Sequence, residues 1–246
     1  MRKVILVTGG SRGIGAALAA LAHAQGYAVA INYQRDEQAA RAVAASLDPE
    51  GKTAFPVQAD VALEGDVKRM FEAVETQLGP LYGLVNNAGI TGRLGDFLSA
   101  DPESIEKIFA TNVFGTMHCC REALTRFRQS HTQGVIVNVS SIAAATGSPH
   151  EYVHYAASKA AVETFTLGLA REVAADGIRV CGLAPGSALT GIHAAAGEPD
   201  RPARVAPKIP MGRLANPEEI AEAILWLLSP AASYVPGPPL RGAGGL

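Results

Sequence analysis

The sequence predicts an α/β fold in which helices cover both faces of a mostly parallel β-sheet. Six short aliphatic runs are rich in β-branched residues and lack polar residues at alternate positions, which is typical of strands buried on both faces. Stretches with helical spacing of apolar side chains separate these runs, and this alternation favours a parallel sheet. No linker or repeat interrupts the 246 residues, so we expect a single domain, 1–246. The predicted strands are Val4–Val7, Ala28–Ile31, Thr53–Val57, Leu81–Val85, Gly134–Val139 and Arg179–Leu183.

The composition excludes several classes of protein. Hydrophobic residues make up 48% of the chain and charged residues 18%, which excludes a disordered polypeptide. A net charge of −2 gives no general attraction to nucleic acid or anionic lipid, and no apolar run reaches the ~18 residues of a membrane helix. The apolar run after Met1–Lys3 is short and lacks a cleavage-like region, so we expect a cytoplasmic protein. The three cysteines, of which Cys119 and Cys120 are adjacent, fit a reducing compartment, and we expect no metal site.

A glycine-rich turn, Thr8–Gly15, follows the first predicted strand and precedes a helix. Gly9 suits a tight turn, Gly13 lets the backbone approach a phosphate, and Gly15 lets the helix pack closely on the strand. The helix N-terminus supplies free N–H groups and partial positive charge for a pyrophosphate. The turn therefore predicts a Rossmann-type dinucleotide site, with a Gly-x-x-x-Gly-x-Gly spacing in place of the commoner Gly-x-Gly-x-x-Gly.

The same turn is open to two other interpretations. Gly9–Gly13 spells Gly-x-Ser-x-Gly, the nucleophile elbow of a hydrolase. That elbow needs an oxyanion loop from an earlier strand, and no strand precedes residue 4, so a hydrolase is disfavoured. A phosphate-binding Walker A loop is excluded because no lysine follows the last glycine.

The end of the second predicted strand bears on the choice between NAD(H) and NADP(H). Dinucleotide folds specific for NAD usually place an acidic residue there to bind the ribose 2′-hydroxyl. Here the position is Asn32, and Arg12 and Arg35 are close enough in the predicted fold to reach the same spot. Arginine binds a 2′-phosphate and an acid repels it, so the sequence predicts NADP(H). The alternative is that Arg35 is only a solvated residue at a helix start.

Tyr155 and Lys159 lie four residues apart in a predicted helix, and this spacing puts both side chains on one face. A free phenol has a pKa near ~10 and exchanges protons poorly at neutral pH. An ammonium about 4 Å away favours the phenolate by up to ~4 kcal/mol, or roughly three pKa units. We therefore expect Lys159 to bring the pKa of Tyr155 into a range useful for general acid–base catalysis.

Further motifs accompany these features in a fixed order, from about residue 3 to residue 230. They are the Thr8–Gly15 turn, Asp60-Val61, Asn86-Asn87-Ala88-Gly89, Asn112-Val113-Phe114-Gly115, Ser140-Ser141, Tyr155 with Lys159, and Pro185-Gly186. Together they resemble the short-chain dehydrogenase/reductase family. The resemblance implies a Rossmann-type doubly wound sheet of seven strands, with the active site at the carboxyl ends of the strands.

The resemblance also implies roles for individual residues. Tyr155 is expected to exchange a proton with the substrate oxygen and Ser141 to hydrogen-bond that oxygen. Lys159 is expected to lower the pKa of Tyr155 and to hold the nicotinamide ribose, and Asn112 to position a water that relays protons to Lys159. The residues expected to contact the cofactor are Gly9, Ser11, Arg12, Gly13, Ile14, Gly15, Asn32, Arg35, Asp60, Val61, Asn87, Ala88, Gly89, Tyr155, Lys159, Pro185, Gly186, Ala188 and Thr190.

Several regions carry expectations of their own. Ser140 is the alternative to Ser141, but strand alternation lets only one face the site, and we prefer Ser141. Residues 187–216 are rich in Gly, Pro and Ala, and a long irregular segment of this kind is typical of a substrate lid. The tail, 234–246, contains several prolines, so its strand should be short or frayed. Trp226 is expected in the core.

The sequence therefore predicts an NADP(H)-dependent oxidoreductase that interconverts a small-molecule carbonyl compound and an alcohol. The substrate is left open between a 3-oxoacyl thioester and a sugar or polyol. A carrier-protein substrate calls for a basic patch, for which Arg121, Arg126 and Arg128 are weak candidates. The alternative is a catalytically silent NADP(H)-binding regulatory or interaction protein. The resemblance further implies a homo-oligomer, tetramer or dimer, whose geometry the unusual tail leaves open.

Overall fold

Seven parallel strands form one sheet with the order β3-β2-β1-β4-β5-β6-β7. The computed structural model describes residues 2–246. It confirms the predicted fold class, a single Rossmann-like domain with an all-parallel sheet, and each of the six predicted runs matches a strand to within two residues. The strands are β1 Val4–Val7, β2 Ala28–Tyr33, β3 Ala54–Gln58, β4 Leu81–Asn86, β5 Val135–Val139, β6 Arg179–Pro185 and β7 Leu240–Gly242.

Helices cover both faces of the sheet. One face carries a core that includes Leu18 and Ile224, and the other a core that includes Phe71 and Phe127. These side chains come from helices α1 and α10 on the first face and from α3 and α5 on the second. The helices are α1 Gly13–Ala24, α2 Glu37–Leu47, α3 Glu64–Leu78, α4 Pro102–Phe109, α5 Gly115–Gln129, α6 Ala143–Thr146, α7 Val153–Val173, α8 Ile192–Ala195, α9 Arg201–Val205 and α10 Pro217–Leu228.

The strand register brings the predicted functional residues to one edge of the sheet. Val7, the last residue of β1, pairs with Ile31 of β2 and with Val85 of β4, so the carboxyl ends of these three strands lie within two residues of one another. Val85 pairs in turn with Val137 of β5. Because all strands are parallel, every loop that leaves a carboxyl end meets its neighbours there. The chain order reverses between β1 and β4, which creates the crevice where open α/β sheets bind ligands.

Residues 187–216 are more ordered than the sequence suggested. The predicted irregular segment contains the short helices α8 and α9. Its two ends are joined, because Leu189 N donates to Ala215 O at 2.9 Å and Ala215 N donates to Ser187 O at 3.0 Å. The segment is therefore a loop with a closed base, in which the glycines and prolines separate short helical turns.

The tail adds a strand of only three residues, as its prolines predict. It passes close to β6: a Cβ atom on Gly182 would lie 2.9 Å from Pro239, so β6 needs a glycine there.

The expectation that Trp226 lies in the core is wrong. Its side chain is 41% exposed on the outer face of α10, because the inner face of that helix is filled by Ile220, Ile224 and Leu228.

Candidate active site

One large cleft lies at the carboxyl ends of the strands and has a volume of about 1580 Å³. It runs from the glycine-rich turn to Tyr155 and on to the segment 187–216. Every predicted site residue lines it except Gly15 and Asn112, which lie behind its wall. The structure therefore brings the predicted cofactor and catalytic residues into a single site.

The glycine-rich turn has the geometry of a dinucleotide cradle. Gly9 and Gly13 have φ angles of +61° and +54°, a region that favours glycine. A Cβ atom on Gly15 would lie 2.7 Å from the side-chain nitrogen of Asn87 and would also collide with the carbonyl of Gly9. The turn leads directly into α1, whose first N–H groups are free to bind an anion.

Thr8 and Asn87 fix the turn against the neighbouring strand. The Thr8 hydroxyl accepts hydrogen bonds from the N–H groups of Asn87 and Ala88, both at 3.0 Å. The Asn87 amide donates to the carbonyls of Thr8 at 2.9 Å and Gly9 at 3.1 Å. The side chain of Asn87, predicted to contact the cofactor, is thus used to shape the cradle.

The side chain of Asn32, predicted to contact the cofactor, is hydrogen-bonded to the backbone. Its side chain is buried, its oxygen accepts from Gly9 N at 3.2 Å, and its amide nitrogen donates to the carbonyl of Ala59 at 3.1 Å. Each polar atom of the amide therefore has a backbone partner. Arg12 and Arg35 are exposed and line the cleft beside the end of β2, where Gln34 and Asp36 are exposed as well.

Tyr155 and Ser141 form the centre of the site. The Ser141 hydroxyl lies beside the phenol of Tyr155 and acts to lower its pKa, and Tyr155 is almost completely buried. Ser140 turns the other way and donates to a carboxylate oxygen of Glu163 at 2.8 Å. Of the two neighbouring serines, Ser141 is therefore the one beside the phenol.

The pKa of Tyr155 corrects an expectation. Burial raises it above the ordinary value of 10.0, and the hydroxyl of Ser141 only partly offsets this. The predicted lowering by Lys159 is absent because the lysine Nζ lies 5.8 Å from the phenol ring centre and donates to Val139 O at 2.8 Å. Burial also lowers the pKa of Lys159 from 10.5 to about 8. The phenol is therefore protonated at neutral pH, and the amine exchanges its proton readily.

Asn112 acts from behind the cleft wall. It lies in a π-helical turn, Ala110–Phe114, between α4 and α5, a distortion often found at functional sites. Its amide exchanges two 2.9 Å hydrogen bonds with the backbone of Ile90 and donates to Ser158 Oγ at 3.0 Å. Gly89 fits between it and the lysine: a Cβ atom there would lie 3.3 Å from Lys159 Nζ and 3.4 Å from Asn112 Oδ1. Asn112 thus positions the loop that faces Lys159.

Sequence reasoning missed several charged residues of the cleft, of which Arg201 is the most buried. It lies in α9, is 6% exposed, and lines the cleft beside Glu151 and Tyr152. The signal available in the sequence was a pair of arginines, Arg201 and Arg204, one helical turn apart in a segment rich in Gly, Pro and Ala.

Comparison with known proteins places this cleft in a family. A family model described as enoyl-(acyl carrier protein) reductase matches residues 9–246. The chain is 34% identical to a 3-ketoacyl-(acyl-carrier-protein) reductase from Brucella melitensis, solved with NADH, with a TM-score of 0.92 and coverage of 99% of this chain and 97% of that one. A short-chain type dehydrogenase/reductase from Mycobacterium marinum is 32% identical, with a TM-score of 0.91 and coverage of 99% and 94%. The chain belongs to the short-chain dehydrogenase/reductase family.

Two curated members of the short-chain dehydrogenase/reductase family illustrate the range of its relatives. Uncharacterized oxidoreductase YgfF of Escherichia coli K12 is 49% identical over 244 residues, which cover 98% of this chain and 99% of the relative. The 3beta-hydroxysteroid dehydrogenase 1 of Eggerthella lenta is 39% identical over 248 residues, covering 99% and 93%. The chain is thus an oxidoreductase, with relatives that act on chemically different substrates.

The short-chain dehydrogenase/reductase cleft fits a nicotinamide dinucleotide. The Gly9–Gly15 cradle leaves no room for a Cβ atom at Gly15, and α1 offers its N-terminus to a pyrophosphate. Gly13 faces Thr190 of the segment 187–216, since a Cβ atom there would lie 3.2 Å from the threonine methyl group. The cradle and this segment therefore form opposite walls around the same space.

We expect Gly15→Ala to weaken nucleotide binding by at least ~10-fold, because the new methyl group must displace the Gly9 carbonyl or the Asn87 amide that shapes the cradle. Fluorescence titration with NADPH and NADH measures the effect. Gly65→Ala in the first turn of α3 is the matched control, since its Cβ atom meets only Arg69 at 3.5 Å. Wild-type affinity in Gly15→Ala would contradict the assignment of this turn as the cradle.

We expect wild-type protein to gain stability relative to Lys159→Met as the pH rises from 8 towards 10.5. The folded-state pKa of Lys159, about 8, lies below its ordinary value of 10.5. Between these values the unfolded chain binds more protons, so the free energy of unfolding increases with pH. Urea unfolding without added nucleotide measures this difference. Lys68→Met, on the exposed surface of α3, is the control: its difference in unfolding free energy from wild type should not change with pH. If the difference for Lys159→Met is also independent of pH, the lowered pKa of Lys159 is contradicted.

Proposed function

We propose that the protein is an NADP(H)-dependent oxidoreductase that interconverts a ketone or aldehyde and an alcohol. The observation that carries the proposal is the buried Tyr155 phenol with the Ser141 hydroxyl beside it, in the cleft that also holds the glycine cradle. Two hydroxyl groups side by side can both bond one substrate oxygen. A carbonyl group accepts such bonds, and an alcohol forms when its oxygen takes a proton.

The catalytic roles follow from the protonation states. Ser141 hydrogen-bonds the substrate carbonyl oxygen and holds it against the phenol of Tyr155. The chemistry that a bound nicotinamide supplies is hydride donation to the substrate carbon, or hydride acceptance from it. As negative charge develops on the oxygen, Tyr155 donates its proton there. Lys159, with a pKa of about 8, is suited to return a proton to the site near neutral pH.

The raised pKa of Tyr155 favours one direction of the reaction. A protonated phenol is ready to donate a proton, as carbonyl reduction requires. Alcohol oxidation requires the phenolate, which burial disfavours. At neutral pH the phenol is therefore in the form that the reductive step needs.

The proposed preference for NADP(H) rests on Arg12 and Arg35. Both line the cleft and are exposed, whereas the Asn32 amide is occupied by backbone groups. Two guanidinium groups beside the end of β2 suit a phosphate on the ribose 2′-oxygen. The Brucella relative was solved with NADH.

The complete set of Ser141, Tyr155, Lys159 and Asn112 supports an active enzyme over a silent regulator. The candidate basic patch for a carrier protein is weakened because each of its arginines has an acidic partner: Arg121 lies near Glu64, Arg126 bonds Glu122, and Arg128 bonds Asp176.

Apolar side chains on α10 and the tail, among them Trp226, Tyr234 and Leu240, are exposed and support the proposed self-association. The proposed compartment is the cytoplasm, which suits three free buried cysteines. No helix within residues 2–246 combines the length and apolarity needed to cross a membrane.

We expect wild-type protein to oxidise NADPH in the presence of at least one carbonyl compound from a panel of simple ketones, sugars and 3-oxoacyl thioesters. Tyr155→Phe, which keeps the ring but loses the proton, should lower kcat/KM by ~10²–10⁴-fold while NADPH still binds. Tyr234→Phe makes the same chemical change on a 99% exposed side chain and should have no effect. Full activity in Tyr155→Phe contradicts the mechanism, and NADPH binding without turnover of any compound supports the regulator.

We expect the double variant Arg12→Ala/Arg35→Ala to lose affinity for NADPH by ~10–100-fold, because hydrogen bonds to charged groups contribute about 1.5–3 kcal/mol. Affinity for NADH should change much less, since NADH lacks the 2′-phosphate. Arg41→Ala, an exposed residue of α2 that pairs with Glu37, is the control for general surface charge. Equal losses for both cofactors, or tighter wild-type binding of NADH, contradict the preference.

A further inference from the structure

A partly buried polar cluster, with Arg201 and His193 as its buried members, lies where the segment 187–216 meets the loop before α7. We define the Arg201 cluster as Arg201, Glu151, Tyr152, His193 and Arg204, all of which line the cleft. Arg201, His193 and Arg204 belong to the segment, and Glu151 and Tyr152 to the loop that leads to Tyr155. None of these residues is needed for the proton transfer derived above.

Arg201 is the centre of the cluster, and its hydrogen bonds are unequal. One terminal nitrogen, Nη2, donates to Glu151 Oε2 at 2.6 Å and to Tyr152 Oη at 2.8 Å. The other, Nη1, has only long contacts, to His193 Nδ1 at 3.4 Å and Ser187 Oγ at 3.5 Å. The Nε atom is buried and has no hydrogen-bond partner within residues 2–246. A 94% buried guanidinium with poorly satisfied donors has capacity for another acceptor.

The Arg201 cluster lies directly beside the catalytic tyrosine. The rings of Tyr152 and Tyr155 pack edge to face with centres 5.1 Å apart. Tyr152 accepts a hydrogen bond from Arg201, and the charge of Arg201 makes a small contribution that lowers the pKa of Tyr155. A substrate whose oxygen lies on Tyr155 therefore binds in the same cleft as this cluster, close to the ring of Tyr152.

The balance of charge indicates what the cluster can bind. Glu151 pairs with both Arg201 and Arg204, and Arg204 also pairs with Glu198. Two carboxylates thus neutralise two guanidinium groups. Burial lowers the pKa of His193, which keeps that ring neutral at neutral pH. Counted together with Glu198, the cluster has no net charge to attract an anion. It offers donors and acceptors side by side, and a hydroxyl group needs one of each.

We propose that the Arg201 cluster is a hydroxyl-binding subsite, and that the substrate is a hydroxylated carbonyl compound of the sugar or polyol type. The Nη1 group of Arg201 donates to a substrate hydroxyl, and that hydroxyl donates to Glu151 or Tyr152. This inference rests on the proposed reductase function and selects between the two substrate classes that the sequence left open.

The alternative substrate, an apolar acyl chain, fits this position poorly. An apolar chain placed against Arg201 and Glu151 would remove water from charged groups without replacing its hydrogen bonds. A site built to bond a hydroxyl rejects the analogue that lacks one far more strongly than an apolar pocket rejects an extra methylene. The subsite therefore acts mainly by rejecting carbonyl compounds that lack a hydroxyl group beside the carbonyl.

The test compares ketones with the same carbon skeleton: hydroxyacetone with acetone, and erythrulose with butanone. NADPH oxidation is measured for each, together with a short 3-oxoacyl thioester. We expect wild-type protein to prefer the hydroxylated member of each pair by ~10–100-fold in kcat/KM, the size of one or two charge-assisted hydrogen bonds. Arg201→Met should reduce this ratio towards one. Arg213→Met is the matched control, because Arg213 lies in the same segment but pairs with Glu219 outside the cleft.

Each outcome decides a separate point. Equal wild-type activity within each pair, or preference for the thioester, overturns the subsite but leaves the reductase function intact. A loss of the same factor for both members in Arg201→Met shows that Arg201 acts only by holding the segment, and also overturns it. Binding of NADPH with no reduction of any compound overturns both proposals. Melting temperature and NADPH affinity verify folding, and Arg201→Lys, which keeps the charge but loses the planar fork, should lower the ratio even if Arg201→Met does not fold.

Discussion

The hydrogen bonds among Thr8, Gly9 and Asn87 hold the two central strands together at the point where the site begins. They tie the end of β1 to the end of β4 with four bonds of 2.9 to 3.1 Å. These are the strands between which the chain order reverses, so the crevice between them has no continuous ladder beyond their ends. Side-chain bonds replace the ladder there. The shape of the glycine turn, and with it the position of α1, depends on them.

At the catalytic centre, burial decides the protonation of the two titratable side chains. It raises the pKa of Tyr155 and lowers that of Lys159, so both groups are displaced towards their neutral forms. The pair therefore does not behave as an ion pair on a helix surface. Its two members are held separately, the phenol by Ser141 and the amine by Val139 O. A protonated phenol and an amine with a pKa of about 8 in one cleft are suited to donate a proton and to resupply it near neutral pH.

The sequence was sufficient for the sheet, because strands buried on both faces leave continuous β-branched runs. It was also sufficient for the residues that gather in the cleft, since glycines at a strand–helix turn and a Tyr-x-x-x-Lys spacing have strong geometric causes. It was insufficient wherever the answer depended on a distant partner. Asn32 is occupied by the backbone of Gly9 and Ala59, and the sign of the Tyr155 shift depends on burial. Arg201 acquires its meaning only from Glu151 and Tyr152, which are about fifty residues away in the chain.

The joined base of residues 187–216 has a consequence for how such an enzyme diversifies. Because Ser187 and Leu189 bond Ala215, the segment leaves and re-enters the sheet at one point. The entropy of closing a flexible loop grows slowly with length, by about 0.6 kcal/mol for each doubling, so insertions between these positions cost little stability. The sequence and length of this segment can therefore change during evolution while the sheet and the helix α7, which position Ser141, Tyr155 and Lys159, stay the same.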